Sequence, residues 1–425
     1  MDHKRLFWQH LTNKKIFIKY ILPEIKQDLF NYVFVDYYAW EWNLILPILE
    51  FIEKKNRVEY FKNHIFLFDI QDELVNKAIE NAWHYWIPKE VAKQNIKQND
   101  SLSVYPKIKS NLPIFHITNP PYLYIWYIKK HEETKHYLNY FKNEFSWLQD
   151  LYQVAMFQDM KNNISKNIYI VPSNFLFSAS WTNKVRTEYL ESYDIQKAII
   201  FEEKIFDFTG QHVWIFFFNK KQNKNHDKQK FEAIKINWYA KKRNFELRKT
   251  NNYRWGSEFI DFCKKNQQKN INVDFYLMED YILKNKWTNK ICWYDINNKK
   301  HIQYWVNEEL YEKIKKNYLY IRTIDTWKIG GRIWLYDIRK DYKADCIVIT
   351  NWKTYRTYPI QIFLDTKKDI LLDELKRYFN NTLEEFREKY DSDFLTTFMY
   401  SETSEYVRKF IWLTYTKQLI QTFSF

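Results

Sequence analysis

The chain has 425 residues, a formal net charge of +14 and 3 cysteines, and no uninterrupted apolar run long enough to span a bilayer. Cys263, Cys292 and Cys346 lie far apart, which argues against a disulfide framework or a cysteine zinc site. The polar start, MDHKRLFWQHLTNKK, lacks the apolar stretch of a signal peptide. These features predict a cytoplasmic protein of two domains, with no membrane partner. The charge has two readings. A cationic surface gains free energy by releasing counterions from a polyanion. A Lys-, Asn-, Ile-, Tyr- and Phe-rich chain is also what an AT-rich gene encodes.

In chain order, apolar runs ending in polar turns predict strands at 32–38, 64–70, 114–118, 167–172, 197–202 and 213–219. Helical periodicity fills 42–54, 72–83, 147–161 and 181–191. Such alternation predicts an α/β sheet with parallel strands, the Rossmann-like class. The run Phe216-Phe217-Phe218 enters the charged stretch 219–230, and the domain boundary is placed there, giving domains 1–225 and 226–425. The alternative is a long surface hairpin within one domain. Beyond it, short β-like pieces (231–239, 320–324, 344–350, 358–364) and helical segments (370–390, 403–421) predict a mixed α+β domain.

One motif carries chemistry. Residues 114–118, IFHIT, read as a buried strand that ends in Asn119-Pro120-Pro121-Tyr122. Two prolines fix φ and remove two N–H donors, so the loop offers acceptors beside an aromatic ring. An exocyclic amine has two protons to donate, and a nucleobase has a face to stack. Asn119 and the Pro120 carbonyl could take the protons while Tyr122 stacks, leaving the nitrogen lone pair free to attack. A rigid turn would explain the prolines but not the flanking Asn and Tyr.

Here the sequence resembles the N6-adenine DNA methyltransferases, whose motif is (D/N/S)PP(Y/F). The resemblance runs in order over about the first 220 residues. Phe7-Trp8-Gln9-His10-Leu11-Thr12 is similar to the family's N-terminal cofactor motif, which implicates Gln9 and Thr12. Asp36 to Asn43, including Ala39, Trp40 and Trp42, is similar to the D-P-x-x-G-x-G loop around the methionine part of S-adenosylmethionine. Asp69, after Phe66-Leu67-Phe68, falls where an acidic residue binds the ribose. Asp100, in Asn99-Asp100-Ser101-Leu102, falls where an Asp meets the cofactor's adenine. Phe206 falls where a second aromatic faces the extruded base.

The resemblance implies methyl transfer from S-adenosylmethionine to adenine N6 in double-stranded DNA, with the base extruded from the duplex. No metal is implied, because the sulfonium is already a good leaving group. The motif order resembles the γ arrangement, which puts DNA target recognition in the C-terminal domain. There Lys328-Ile329-Gly330-Gly331-Arg332 and Asn351–Tyr358 offer basic and amide side chains. A separately encoded restriction endonuclease is a further expected partner. Alternatives are a catalytically impaired methyltransferase-like DNA-binding subunit, or methylation of RNA or of a protein glutamine.

One departure recurs. The family has glycine at positions 8, 40 and 42, and this chain has tryptophan at all three. Only 4 residues are Gly while 18 are Trp, where average usage of about 7% would give roughly 30 glycines. Gly and Trp together make about 5% of the chain, near the usual glycine share. A gene that reads UGA as glycine, translated with a table that reads it as tryptophan, produces this pattern; the alternative is a truly Trp-rich protein, whose cofactor pocket is then damaged. Other suspect positions are Trp83 after a helix, Trp181 before one, and Trp214 at a strand start, whereas Trp255 beside Gly256 is a candidate genuine tryptophan.

Overall fold

The computed structural model describes residues 14–40, 42–178, 181–203, 212–222, 227–237, 239–268, 271–325, 331–350, 359–366, 371–400 and 407–424. The chain divides into two units, Met1–Arg254 and Trp255–Phe425.

The first unit runs β1 (Val33–Asp36), α1 (Arg57–His64), β2 (Ile65–Asp69), α2 (Asp72–Trp83), α3 (Lys89–Asn95), β3 (Ile96–Gln98) and β4 (Ile114–Thr118). It continues with α4 (Ile125–Lys130), α5 (Leu151–Lys161), β5 (Lys166–Pro172), α6 (Trp181–Ser192), β6 (Tyr193–Phe201), β7 (Val213–Lys220), β8 (Lys228–Ile236) and β9 (Ala240–Arg248). These strands form one nine-stranded sheet, in the order β3-β2-β1-β4-β5-β7-β6-β8-β9. The first five are mutually parallel. β7 inserts antiparallel between β5 and β6.

This is the expected Rossmann-like architecture. Chain order reverses between β1 and β4, and ligands of such sheets bind at the carboxyl ends flanking that reversal. Asp36 ends β1, and Asn119 directly follows β4. Alternation along β4 sends Phe115 and Ile117 into an apolar core shared with Tyr60 and Phe61 of α1 and Val75 and Ile79 of α2. His116 and Thr118 point to the opposite face.

The boundary falls about thirty residues later than the expected 225/226 division. β8 pairs in parallel with β6, and β9 pairs with β8, so residues 228–248 finish the first sheet instead of opening a second domain. The charged stretch thus lies within one unit, as the alternative had it, although the strand that follows it, β8, pairs with β6 and not with β7. The periodicity over 42–54 also misleads. That segment is a series of 3-10 turns (Trp42–Leu44 and Leu46–Phe51), with Pro47 at the start of the second.

The second unit is mixed α+β. Strands Ile271–Phe275, Ile360–Thr366, Leu319–Ile321 and Leu335–Asp337 form an antiparallel sheet. Helix Leu372–Tyr390 packs Leu372, Leu375, Phe379 and Leu383 into a core with Phe259 and Ile362. The expected helix over 403–421 is instead a strand, Val407–Phe410, followed by a helix, Leu413–Ile420. Residues 351–358 and 326–330 lie outside the described residues, so the two basic stretches expected to meet DNA are not placed, apart from Gly331 and Arg332. No described helix is long and apolar enough to cross a membrane.

The tryptophans separate by environment. Trp83 is the last residue of α2, not the residue past its end. The terminating residue is Trp86, with φ +70. The Ile87 N–H donates to the Ala82 carbonyl at 3.2 Å and the Trp86 N–H to the Trp83 carbonyl at 2.9 Å. This is a Schellman motif with Trp86 in the left-handed position that glycine normally fills. Its side chain is 65% exposed. Trp214 is the reverse case: it stands at the start of β7, as expected, but inside the sheet and not in a turn. It is 1% exposed, stacks edge-on with Phe177, and donates its indole N–H to His212 Nδ1 at 3.2 Å. Trp255 and Trp293 are also buried.

Replacing Trp86 with Gly is expected to stabilise the protein by about 1 kcal/mol, by relieving the left-handed strain, as read by urea denaturation. The gene is expected to carry UGA at codons 8, 40, 42 and 86 and UGG at 214, 255 and 293. UGG at the first four ends the glycine reading.

Candidate functional site

A cleft of about 980 Å³, open mouth included, lies at the carboxyl ends of β1, β2, β3 and β4. Its lining includes Asp36, Trp40, Asp69, Asp100 and the whole of Asn119-Pro120-Pro121-Tyr122. Three acidic residues from successive strand ends and the acceptor-rich loop therefore face one space. Ala39 and Asn43 are close in sequence but do not line it. Ala39 is buried, with its N–H on the Phe68 carbonyl at 2.7 Å. Gln9, Thr12 and Phe206 lie outside the described residues, as does the side chain of Trp42.

Each carboxylate has a local reason for its position. Asp36 Oδ1 accepts the Tyr38 N–H at 3.0 Å, which closes the turn after β1. Asp69 Oδ1 accepts the Gln71 N–H at 2.8 Å, at the entry to α2. Asp100 accepts the Ser103 N–H at 3.3 Å and the Tyr140 hydroxyl at 3.0 Å. Burial raises the Asp36 carboxyl to about 6, with the nearby His116 offsetting part of the shift. Burial raises Asp69 to about 7.

The Asn-Pro-Pro-Tyr loop is tied down on two sides. The Tyr122 ring is buried, and its hydroxyl reaches both Asn119 Oδ1 and the Ile170 carbonyl. One hydroxyl proton serves two acceptors, so the Asn119 oxygen already has a donor beside it. The next amide, Leu123 N–H, donates to Asp150 Oδ1 at 3.0 Å. Asp150 precedes α5, is buried, and is raised to about 7 by that burial, with the Leu123 N–H pulling the other way.

Sequence reasoning missed Tyr137 and Tyr140, which come from the irregular 3-10 segment Glu132–Phe141 and line the cleft near Asp100. It also missed Gln71, Asn99 and Ser101 in the lining. The two tyrosines follow the motif in HYLNYF, where an aromatic spacing of three was the available signal.

No family model matches the chain, and no curated protein does. Among solved structures, the M protein of the type I restriction enzyme EcoKI is similar, with a TM-score of 0.38 and 13% identity over 48% of this chain and 44% of that one. The methyltransferase subunit of a type I restriction-modification system from Streptococcus thermophilus has a TM-score of 0.36 and 15% identity, over 53% of this chain and 47% of that one. A nuclease-deletion mutant of the type ISP restriction-modification enzyme LlaGI, solved with a DNA substrate mimic, has a TM-score of 0.41 and 11% identity, over 67% of this chain and 29% of that one. The chain spans less than half the length of each of these three proteins.

Asp36, Asp69 and Asp150 all sit above the ordinary carboxyl value of 3.8. The folded protein therefore holds protons that the unfolded chain releases. Their contribution to stability is fully present below the ordinary value and is lost as pH rises through 6 to 7. The urea midpoint of the ligand-free protein is expected to fall between about pH 4 and pH 7, and Asp69→Asn is expected to flatten that slope.

Proposed function

We propose that the chain is a site-specific DNA methyltransferase that moves a methyl group from S-adenosylmethionine to adenine N6 in double-stranded DNA, as the modification part of a restriction–modification system. The observation that carries this reading is the shared cleft, in which Asp36, Asp69 and Asp100 face Asn119–Tyr122. Three carboxylates suit a cationic ligand rich in hydroxyl and amine donors. When bound, S-adenosylmethionine supplies a methyl group activated by its sulfonium. Asp69 holds ribose hydroxyls, Asp100 faces the cofactor's base beside Tyr137 and Tyr140, and the Asp36 turn borders its methionine end.

The remaining work belongs to the loop after β4. Asn119 Oδ1 and the Pro120 carbonyl accept hydrogen bonds from the two amine N–H groups, so the nitrogen lone pair stays directed at the methyl carbon. As the N–C bond forms the S–C bond breaks, S-adenosylhomocysteine leaves, and the surplus amine proton passes to solvent. The entering amine takes the place of the Tyr122 hydroxyl at Asn119 Oδ1. Aligning two reacting groups can supply roughly 7–11 kcal/mol of the lowering of such a barrier. The ring of Tyr122 offsets part of the unstacking cost of the extruded base, about 1–3 kcal/mol per stacked base. The second unit supplies target recognition.

Trp40 in the cleft wall favours a second reading, a methyltransferase-like DNA-binding subunit without activity. The two separate in one experiment. The chain as written and a version with Gly at 8, 40 and 42 are each incubated with labelled S-adenosylmethionine and plasmid DNA, and modified bases are located by sequencing. N6-methyladenine at a defined sequence is the expected product. Cofactor and DNA binding without any mark supports the inactive subunit.

Asn119→Ala is expected to abolish transfer while cofactor affinity, measured by calorimetry, stays within about twofold, since on this reading Asn119 bonds the target amine and not the cofactor. Tyr122→Phe keeps the ring and is expected to retain transfer. Tyr122→Ala is expected to raise the KM for DNA by about tenfold or more; an unchanged KM removes the stacking role.

A further inference from the structure

Behind the cleft, on the sheet face away from the apolar core, lies a buried polar cluster that the proposed chemistry does not use. His116 and Asp159 are both 0% exposed. His116 Nδ1 lies 2.7 Å from Asp159 Oδ2. Asp159, on α5, also accepts the Tyr105 hydroxyl on Oδ1 and the Tyr169 hydroxyl on Oδ2, each at 2.7 Å. A carboxylate can only accept here, so the imidazole proton sits on Nδ1 and leaves the Nε2 lone pair open. That lone pair faces the Tyr37 backbone N–H at 3.4 Å. The Tyr37 ring packs edge-on against the imidazole, with centroids 4.8 Å apart.

The location gives this cluster its meaning. Tyr37 directly follows Asp36, in the turn that borders the cleft. His116 stands three residues before Asn119 on the strand that carries the catalytic loop. Val35 and His116 are partners across the β1–β4 register. One imidazole therefore touches the cofactor-side turn, the strand under the amine-binding loop, and the helix whose preceding residue, Asp150, holds the Leu123 N–H. A buried polar group left half-satisfied is costly, whereas a fully bonded network fixes a single arrangement.

We propose that His116, oriented by Asp159, is a positioning residue that sets the Asp36–Tyr38 turn for S-adenosylmethionine and locks that turn to the Asn119 loop. This rests on the methyltransferase reading. The test measures S-adenosylmethionine Kd by calorimetry, together with thermal unfolding, on the full chain as written and with Gly at 8, 40 and 42. His116→Asn keeps a side-chain N–H near the Nδ1 position for Asp159 and removes the acceptor for Tyr37. A Kd of the folded protein weakened about three- to tenfold, the worth of one hydrogen bond, over and above any fall in melting temperature, is the expected result. A merely structural role lowers the folded fraction and leaves the Kd of the folded protein alone, so an unchanged Kd overturns the proposal.

If His116→Asn does not fold, Asp159→Asn decides. Its amide can donate to His116 Nδ1, which moves the imidazole proton to Nε2 and takes the acceptor from Tyr37 while His116 stays in place. A weakened Kd supports the proposal, and a parental Kd overturns it. Failure of both parent forms to bind S-adenosylmethionine is a different result, which overturns the methyltransferase reading and this inference with it.

Discussion

The reversal of strand order between β1 and β4 is the constraint on which everything else in the first unit depends. Because β2 and β3 extend one way and β5 the other, the connections leaving β1 and β4 diverge and open a cleft between them. Each parallel strand delivers its last residue to the same end of the sheet. Acidic side chains at three strand ends are thereby gathered, although Asp36, Asp69 and Asp100 are far apart in sequence. The cleft is thus a product of topology, and the chain needs only to place the right residue type at each strand end.

What the sequence made legible follows from this. A buried parallel strand is a short apolar run, and a polar residue ends it. That rule alone finds β1, β2, β4 and β5, together with the acidic or amide residue that terminates the first three. Asn119–Tyr122 is legible for a further reason, since two adjacent prolines after a strand are rare and restrict the backbone strongly. The segment 42–54 was misread because 3-10 turns and an α-helix share a similar spacing of apolar residues, and only Pro47 hints at the difference. β8 and β9 were assigned to the wrong unit because partner choice in a sheet depends on strands distant in sequence. The lysine-rich stretch before them resembles a linker whether or not it is one.

Long-range polar bonding was hardest to foresee. Nothing local tells that the histidine of IFHIT meets an aspartate 43 residues later, or that Tyr105 and Tyr169 converge on the same carboxylate. A lone histidine in an apolar strand reads as a core residue, and only the fold reveals that its second nitrogen meets the backbone of the neighbouring turn. Glycine poverty, by contrast, was visible in composition alone. The structure refines it to individual positions: a bulky residue forced to φ +70 at the end of α2 differs in kind from an indole packed into β7.

β9 ends the sheet on one side, and among the described residues no strand pairs with its outer edge. Such a border can recruit a strand from another molecule and begin a polymer. Along Ala240–Arg248 the outermost strand carries Lys241, Lys242 and Arg248, all exposed to solvent. Charged side chains along an outermost strand are one of the features that discourage such recruitment.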